Sequence, residues 1–150
     1  FADRVEMIEA LIDRERDLML QGLLDALHTA RGDDPEAAFA AGYRAFLSVV
    51  QERPDTWRLI FAANPDPAVV DMMAMARQTL TAGSARWIGP ALETWWQPAD
   101  LRRKLPILIE FFVSAGEAAA RSLLDPENDW HVDDLSDLYG RIMCSAFHAA

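Results

Sequence analysis

The sequence predicts an all-α fold: a single helical domain of about six helices joined by short loops. Three observations point there. Apolar residues recur at threes and fours along every long segment, Asp, Pro and Gly punctuate the chain where helices start and stop, and no stretch holds the two-residue alternation of a half-buried strand. At 150 residues, 51% hydrophobic and 25% charged, the chain is large enough for one core and has neither a disordered nor a membrane composition.

The first helix is expected from about Arg4 to Ala30, with Asp3 as its cap and Gly32 ending it. Val5, Ile8 and Ile12 mark one apolar end and Leu20, Leu24 and Leu27 the other, while the middle, Asp13 to Asp17, reads DRERD and is charged all round. A helix of that pattern bridges two bodies rather than burying itself in one. The second begins with Asp34 as N-cap, Pro35 at the first helical position and Glu36 in the first turn, and carries a stripe of Phe39, Tyr43, Phe46 and Val50. A short third helix, capped by Asp55, holds Trp57, Ile60 and Phe61. The fourth starts at Asp66 and Pro67 with a stripe of Val69, Met73, Ala76, Leu80 and Trp87, and Gly89 and Pro90 are expected to kink or break it. The fifth runs from Leu101 to Leu124, its start blurred by Pro106 and by Arg102, Arg103 and Lys104 at the wrong end of the helix dipole. The sixth runs from Asp134 to about Phe147, with Leu135, Leu138, Ile142 and Ala146 on one face.

A net charge of −10 speaks against this segment gripping a nucleic-acid backbone, because that affinity is built on Lys and Arg. The single cysteine, Cys144, excludes an internal disulfide and a zinc site of paired thiolates, and it reads as a small core residue. No apolar run is long enough to cross a bilayer and no signal peptide is seen, so no membrane partner is expected and the cytoplasm is the expected compartment. His28, His131 and His148 complete no metal-binding spacing, and no phosphate loop or nucleophile elbow occurs. Neither a metal, a cofactor nor an enzymatic activity is expected.

Two features remain. Trp57, Phe61, Met72, Met73, Met75, Trp87, Trp95 and Trp96 gather in the middle of the chain, where they form either ordinary core or a cavity for hydrophobic molecules. The fifth helix has one stripe through Leu105, Leu108, Phe112, Ala115 and Ala119 and another through Ile109, Val113, Gly116 and Ala120. It is therefore either wrapped by its own chain or buried on its second face by a partner subunit. In the second case Ile109, Val113, Gly116 and Ala120 join Tyr139, Ile142, Met143 and Ala146 of the last helix in a twofold four-helix interface of a homodimer.

The opening residues, Phe1, Asp3, Arg4, Met7, Ile8, Ala10 and Leu11, resemble the junction in TetR-family transcriptional regulators where the helix-turn-helix ends and the next helix begins. The order and lengths of the remaining segments are similar to that family's C-terminal domain. The resemblance implies that residues 1–150 form an effector-binding and dimerisation domain, with 1–30 the linking helix from a DNA-binding domain that precedes Phe1. It also implies operator DNA as a partner through that domain, two reading heads spaced by about 34–36 Å, and a small hydrophobic effector that changes their spacing. On this resemblance the effector cavity is expected at Tyr43, Phe46, Trp57, Phe61, Met72, Met75, Trp87 and Phe112, with Arg58 and Arg77 near it either as partners for a ligand carboxylate or as solvated charges. The alternatives are a helical carrier of a lipid-like molecule with no DNA role, and an enzyme using the same cavity.

Overall fold

The computed structural model describes residues 2–29, 34–61 and 67–150. Among them six helices and no strand occur: α1 (Ala2–Thr29), α2 (Pro35–Glu52), α3 (Pro54–Ile60), α4 (Pro67–Trp95), α5 (Leu101–Leu124) and α6 (Val132–Ala149). Phe1, Ala30, Gly32 and Asp66 lie outside the described residues, as do the side chains of Val5, Leu20, Leu24, Leu27, His28, Val69, Met72 and Ala76.

Local chemistry accounts for several boundaries. Asp34 is extended, and its carboxylate accepts the Ala37 N–H at 3.3 Å, which caps α2 with Pro35 in the first turn. Asp3 and Asp55 sit inside the first turns of α1 and α3 rather than capping them; Pro54, its φ already helical, starts α3 one residue earlier. Asp100 precedes α5 in the left-handed region at φ 56°, where its carbonyl accepts from Arg103 and Lys104. Lys104 turns away from the N-terminus of α5 and donates to the Ala150 carbonyl at 2.7 Å.

The expected break in α4 is absent. The helix runs unbroken for 29 residues through Pro90, although Pro removes one backbone bond at about 3 kcal/mol. Ile88 and Leu92, on either side of Pro90, are both buried in the core, and that burial holds the helix together. Gly89 belongs to the same contact: a Cβ there would lie 3.2 Å from Leu105 Cδ2, so its absence lets α5 pack closely. Pro106 likewise lies within α5 rather than before it.

The centre of the fold is α2, which packs against α1, α3, α5 and α6. Its nearest approach is to α6, where a Cβ on Gly140 would stand 2.8 Å from both Cβ and N of Ala40. One apolar cluster joins Ile8 and Ile12 of α1 to Leu47, Val50, Trp57, Ala119 and Leu135. A second joins Phe39 and Tyr43 to Ile88, Leu92, Ile109, Met143 and Phe147. Thus the described N-terminal half of α1 is docked into the core and does not stand apart as a bridge.

The expected partner-facing residues fare differently from one another. Ile109, Gly116, Ala120 and Met143 are buried inside the chain itself, because α2, α4 and α6 surround α5 on the side carrying both its stripes. Val113 and Tyr139 are half-buried, and Tyr139 packs against Tyr43 with ring centres 5.4 Å apart. Ala146 is half-buried against the second cluster, while Ile142 is exposed. The outward side of α5 presents Ile107, Phe111 and Ala118 instead.

Candidate functional site

At the seam of the two clusters, helices α2 to α5 line a half-open cavity of about 250 Å³. Tyr43 and Phe46 enter from α2, Trp57 and Ile60 from α3, Phe61 from the turn after it, Met73, Arg77, Leu80 and Ser84 from α4, and Phe112, Val113, Gly116, Glu117 and Arg121 from α5. Ile12 of α1 completes the wall. The rings brace one another: Phe46 meets Trp57 edge-on at 5.8 Å, Trp57 and Phe61 lie 5.9 Å apart, and Tyr43 and Phe112 5.4 Å apart. Such a lining is rigid and mostly apolar, as a site for a small hydrophobic molecule requires.

The polar groups of the wall are few. Tyr43 donates its hydroxyl to the Phe112 carbonyl at 3.4 Å, and burial, with Tyr139 nearby, pushes its phenol far above the ordinary value. Arg77 of α4 is held by α5: Glu117 accepts at 2.7 Å, Glu110 at 2.9 Å and the Ser114 hydroxyl at 2.7 Å. The hydrogen bond to Glu110 and the pairing with Glu117 raise its already high pKa against the opposing effect of burial. Arg121 lies over the Phe61 ring, 4.9 Å from its centre. The indole Nε1–H of Trp57 is buried without an acceptor among the described residues.

Of the residues expected at the cavity, Tyr43, Phe46, Trp57, Phe61 and Phe112 line it. Trp87 lines a smaller void of about 20 Å³ beside it, with Phe39 and Trp95; Gly42, Ser84 and Phe112 border both spaces. Met75 is 68% exposed and points to solvent, and the Met72 side chain lies outside the described residues. Met73 faces the cavity in their place. At about 100° per residue, Met75 is turned some 200° from Met73, so only one of the two reaches any given wall. The stripe through Met73, Leu80 and Trp87 already singles out Met73. Arg58 pairs with Asp55 and donates to the Leu124 carbonyl, away from the cavity, while Arg77 is neither a solvated charge nor free.

Ile12, Glu117 and Arg121 are wall residues that the sequence pattern does not reveal. Only the spacing Val113, Glu117, Arg121, one turn apart on α5, hints that the last two share a face. Cys144 is half-buried against the second cluster, and burial pushes its thiol up, away from the reactive thiolate. Among the described residues no three His, Cys, Asp or Glu side chains gather as a metal site would need, and no helix is long and apolar enough to cross a membrane. Comparison with protein-family models, with curated proteins and with solved structures gives no match for this chain.

Proposed function

We propose that residues 1–150 are the effector-binding and dimerisation part of a ligand-responsive transcriptional regulator, a repressor of the TetR type that its opening residues resemble. The observation that carries this reading is the position of Ile12. It lines the cavity, and it stands one residue beyond the stretch Phe1 to Leu11 that resembles the family's junction. A molecule that fills the cavity presses on the helix that leads to the reading head, and a ligand that prefers one setting of α1 shifts the spacing of two heads.

In this proposal the homodimer forms through the outward faces of α5 and α6, where Phe111 and Ala118 on one helix and Ile142 and Ser145 on the other are exposed. Operator DNA is bound by a domain that precedes Phe1, and the compartment is the cytoplasm.

The test uses the full-length gene product and DNA from the region upstream of its own gene. Thermal-shift screening first identifies a small hydrophobic compound that binds, and mobility-shift titrations then compare DNA affinity with and without it. Specific DNA binding that changes with the compound is expected. A compound that binds the cavity while the protein has no DNA affinity, or one that leaves DNA affinity unchanged, overturns the regulator in favour of a helical carrier of hydrophobic molecules.

A further inference from the structure

The charged groups of the cavity wall are unequally partnered. Glu117, the carboxylate of the wall, is held by Arg77 Nε at 2.7 Å. Arg77 in turn is engaged by Glu117, by Glu110 at 2.9 Å and by Ser114 at 2.7 Å. The Tyr43 hydroxyl has given its proton to the Phe112 carbonyl. Arg121 is different: it has no ion-pair partner among the described residues, and the Phe61 ring steadies one face of its guanidinium and leaves the N–H edge open. Trp57 adds a buried indole N–H with no acceptor among the described residues. Arg77, Arg121, Glu110 and Glu117 sum to zero charge, so the preference comes from which of the four lacks a partner, and that is Arg121.

Resting on the cavity as a ligand site, we propose that its ligand is a small aromatic carboxylate, its ring among Tyr43, Phe46 and Trp57 and its carboxylate on the Arg121 guanidinium. An amine has to share Glu117 with Arg77, and a neutral molecule leaves Arg121 unpaired. The net charge of −10 opposes any anion at long range, so the selectivity is local to Arg121.

Isothermal titration of the full chain with three probes of one shape tests this: 2-naphthoate, 2-naphthylmethanol and 2-naphthylmethylamine. The carboxylate is expected to bind about five-fold tighter than the alcohol, the scale of one partly exposed charged pair, with the amine weakest. Arg121→Gln should erase that advantage while the alcohol still binds, which shows that the variant keeps its cavity; Arg121→Lys should retain part of it. Equal affinity for acid and alcohol, or a preference for the amine, overturns the carboxylate assignment and leaves the cavity as a ligand site. A carboxylate preference that survives Arg121→Gln overturns the role of Arg121. Binding of none of the three overturns this proposal and the ligand-cavity reading together.

Discussion

Two glycines on neighbouring helices illustrate how one added methyl group takes opposite signs. At Gly140 a Cβ would stand 2.8 Å from the backbone nitrogen and Cβ of Ala40, and backbone gives way only by moving α6 off α2. Gly140→Ala should therefore destabilise the protein by about 1–3 kcal/mol. At Gly116 the nearest atoms are ring carbons of Phe46 at 3.6 Å and Tyr43 at 3.9 Å, an ordinary contact on the cavity wall. Gly116→Ala should stabilise by up to about 1 kcal/mol through helix propensity. Urea midpoints of the two variants against wild type check both signs. Tyr43 makes a separate prediction about pH. Its phenol is held protonated in the folded chain well above the ordinary value, whereas the unfolded chain ionises near pH ~10. Its stabilising contribution is complete below that pH and falls as pH rises beyond it, because the unfolded state then releases a proton that the folded state keeps. Between pH 9 and 11 or so, wild type should lose stability faster than Tyr43→Phe, a difference that denaturant midpoints at each pH would register.

Among elements, α4 and α5 are joined at both ends of their contact by different chemistry: the Gly89 and Leu105 approach at one end, the Arg77 cluster at the other. Arg77 and Glu117 are each about one-third exposed, at 30% and 32%, so their pairing is discounted toward the surface value. A double-mutant cycle with Arg77→Ala and Glu117→Ala should return a coupling of about 1 kcal/mol, and a coupling indistinguishable from zero would show that the contact does not hold the helices together. Pro90 permits a sharper check. It is exposed within a continuous helix, so Pro90→Ala restores a backbone bond without filling any space, and it should stabilise by an amount approaching about 3 kcal/mol. A loss of stability instead would mean that the helix is broken at the proline in solution.

At the scale of the molecule, the question is which surface α5 and α6 leave for a second copy. The outward residues Phe111 and Ile142 are 46% and 44% exposed, large for apolar side chains of a free surface. Native mass spectrometry should give twice the 16.8 kDa chain mass for wild type and the single mass for Phe111→Glu with Ile142→Glu. A monomeric wild type removes the dimer, and with it the paired reading heads. A dimer that survives both charges places the interface elsewhere.

How much was legible from sequence varies with the kind of signal. Asp34 with Pro35 and the stripe of α6 are local signals, decided within one turn by capping geometry and the 3.6-residue period, and the helices follow them. Where local signals opposed each other, as at Gly89 and Pro90, the outcome depended on burial of Ile88 and Leu92, which one strand of text does not contain. The two stripes of α5 were legible as apolar, but periodicity says only that residues share a face and not which neighbour covers it. Ile109, Gly116 and Ala120 proved to be the inward side. The cavity divides in the same way. Its aromatic character was present in the composition around Tyr43, Phe46, Trp57 and Phe61, because large rings are conspicuous wherever they fold. Of its polar edge only Arg77 was, since Glu117 and Arg121 belong to another helix and meet Arg77 at the cavity only when α4 and α5 pack. The sequence by itself determined the all-helical class, most element positions and the apolar supply of the core, because those rest on interactions within a few residues. Tertiary packing alone decided which apolar face turned inward, that Ile12 reached the cavity and which arginine was left without a carboxylate among the described residues, because each of those is a contact between helices distant in the chain.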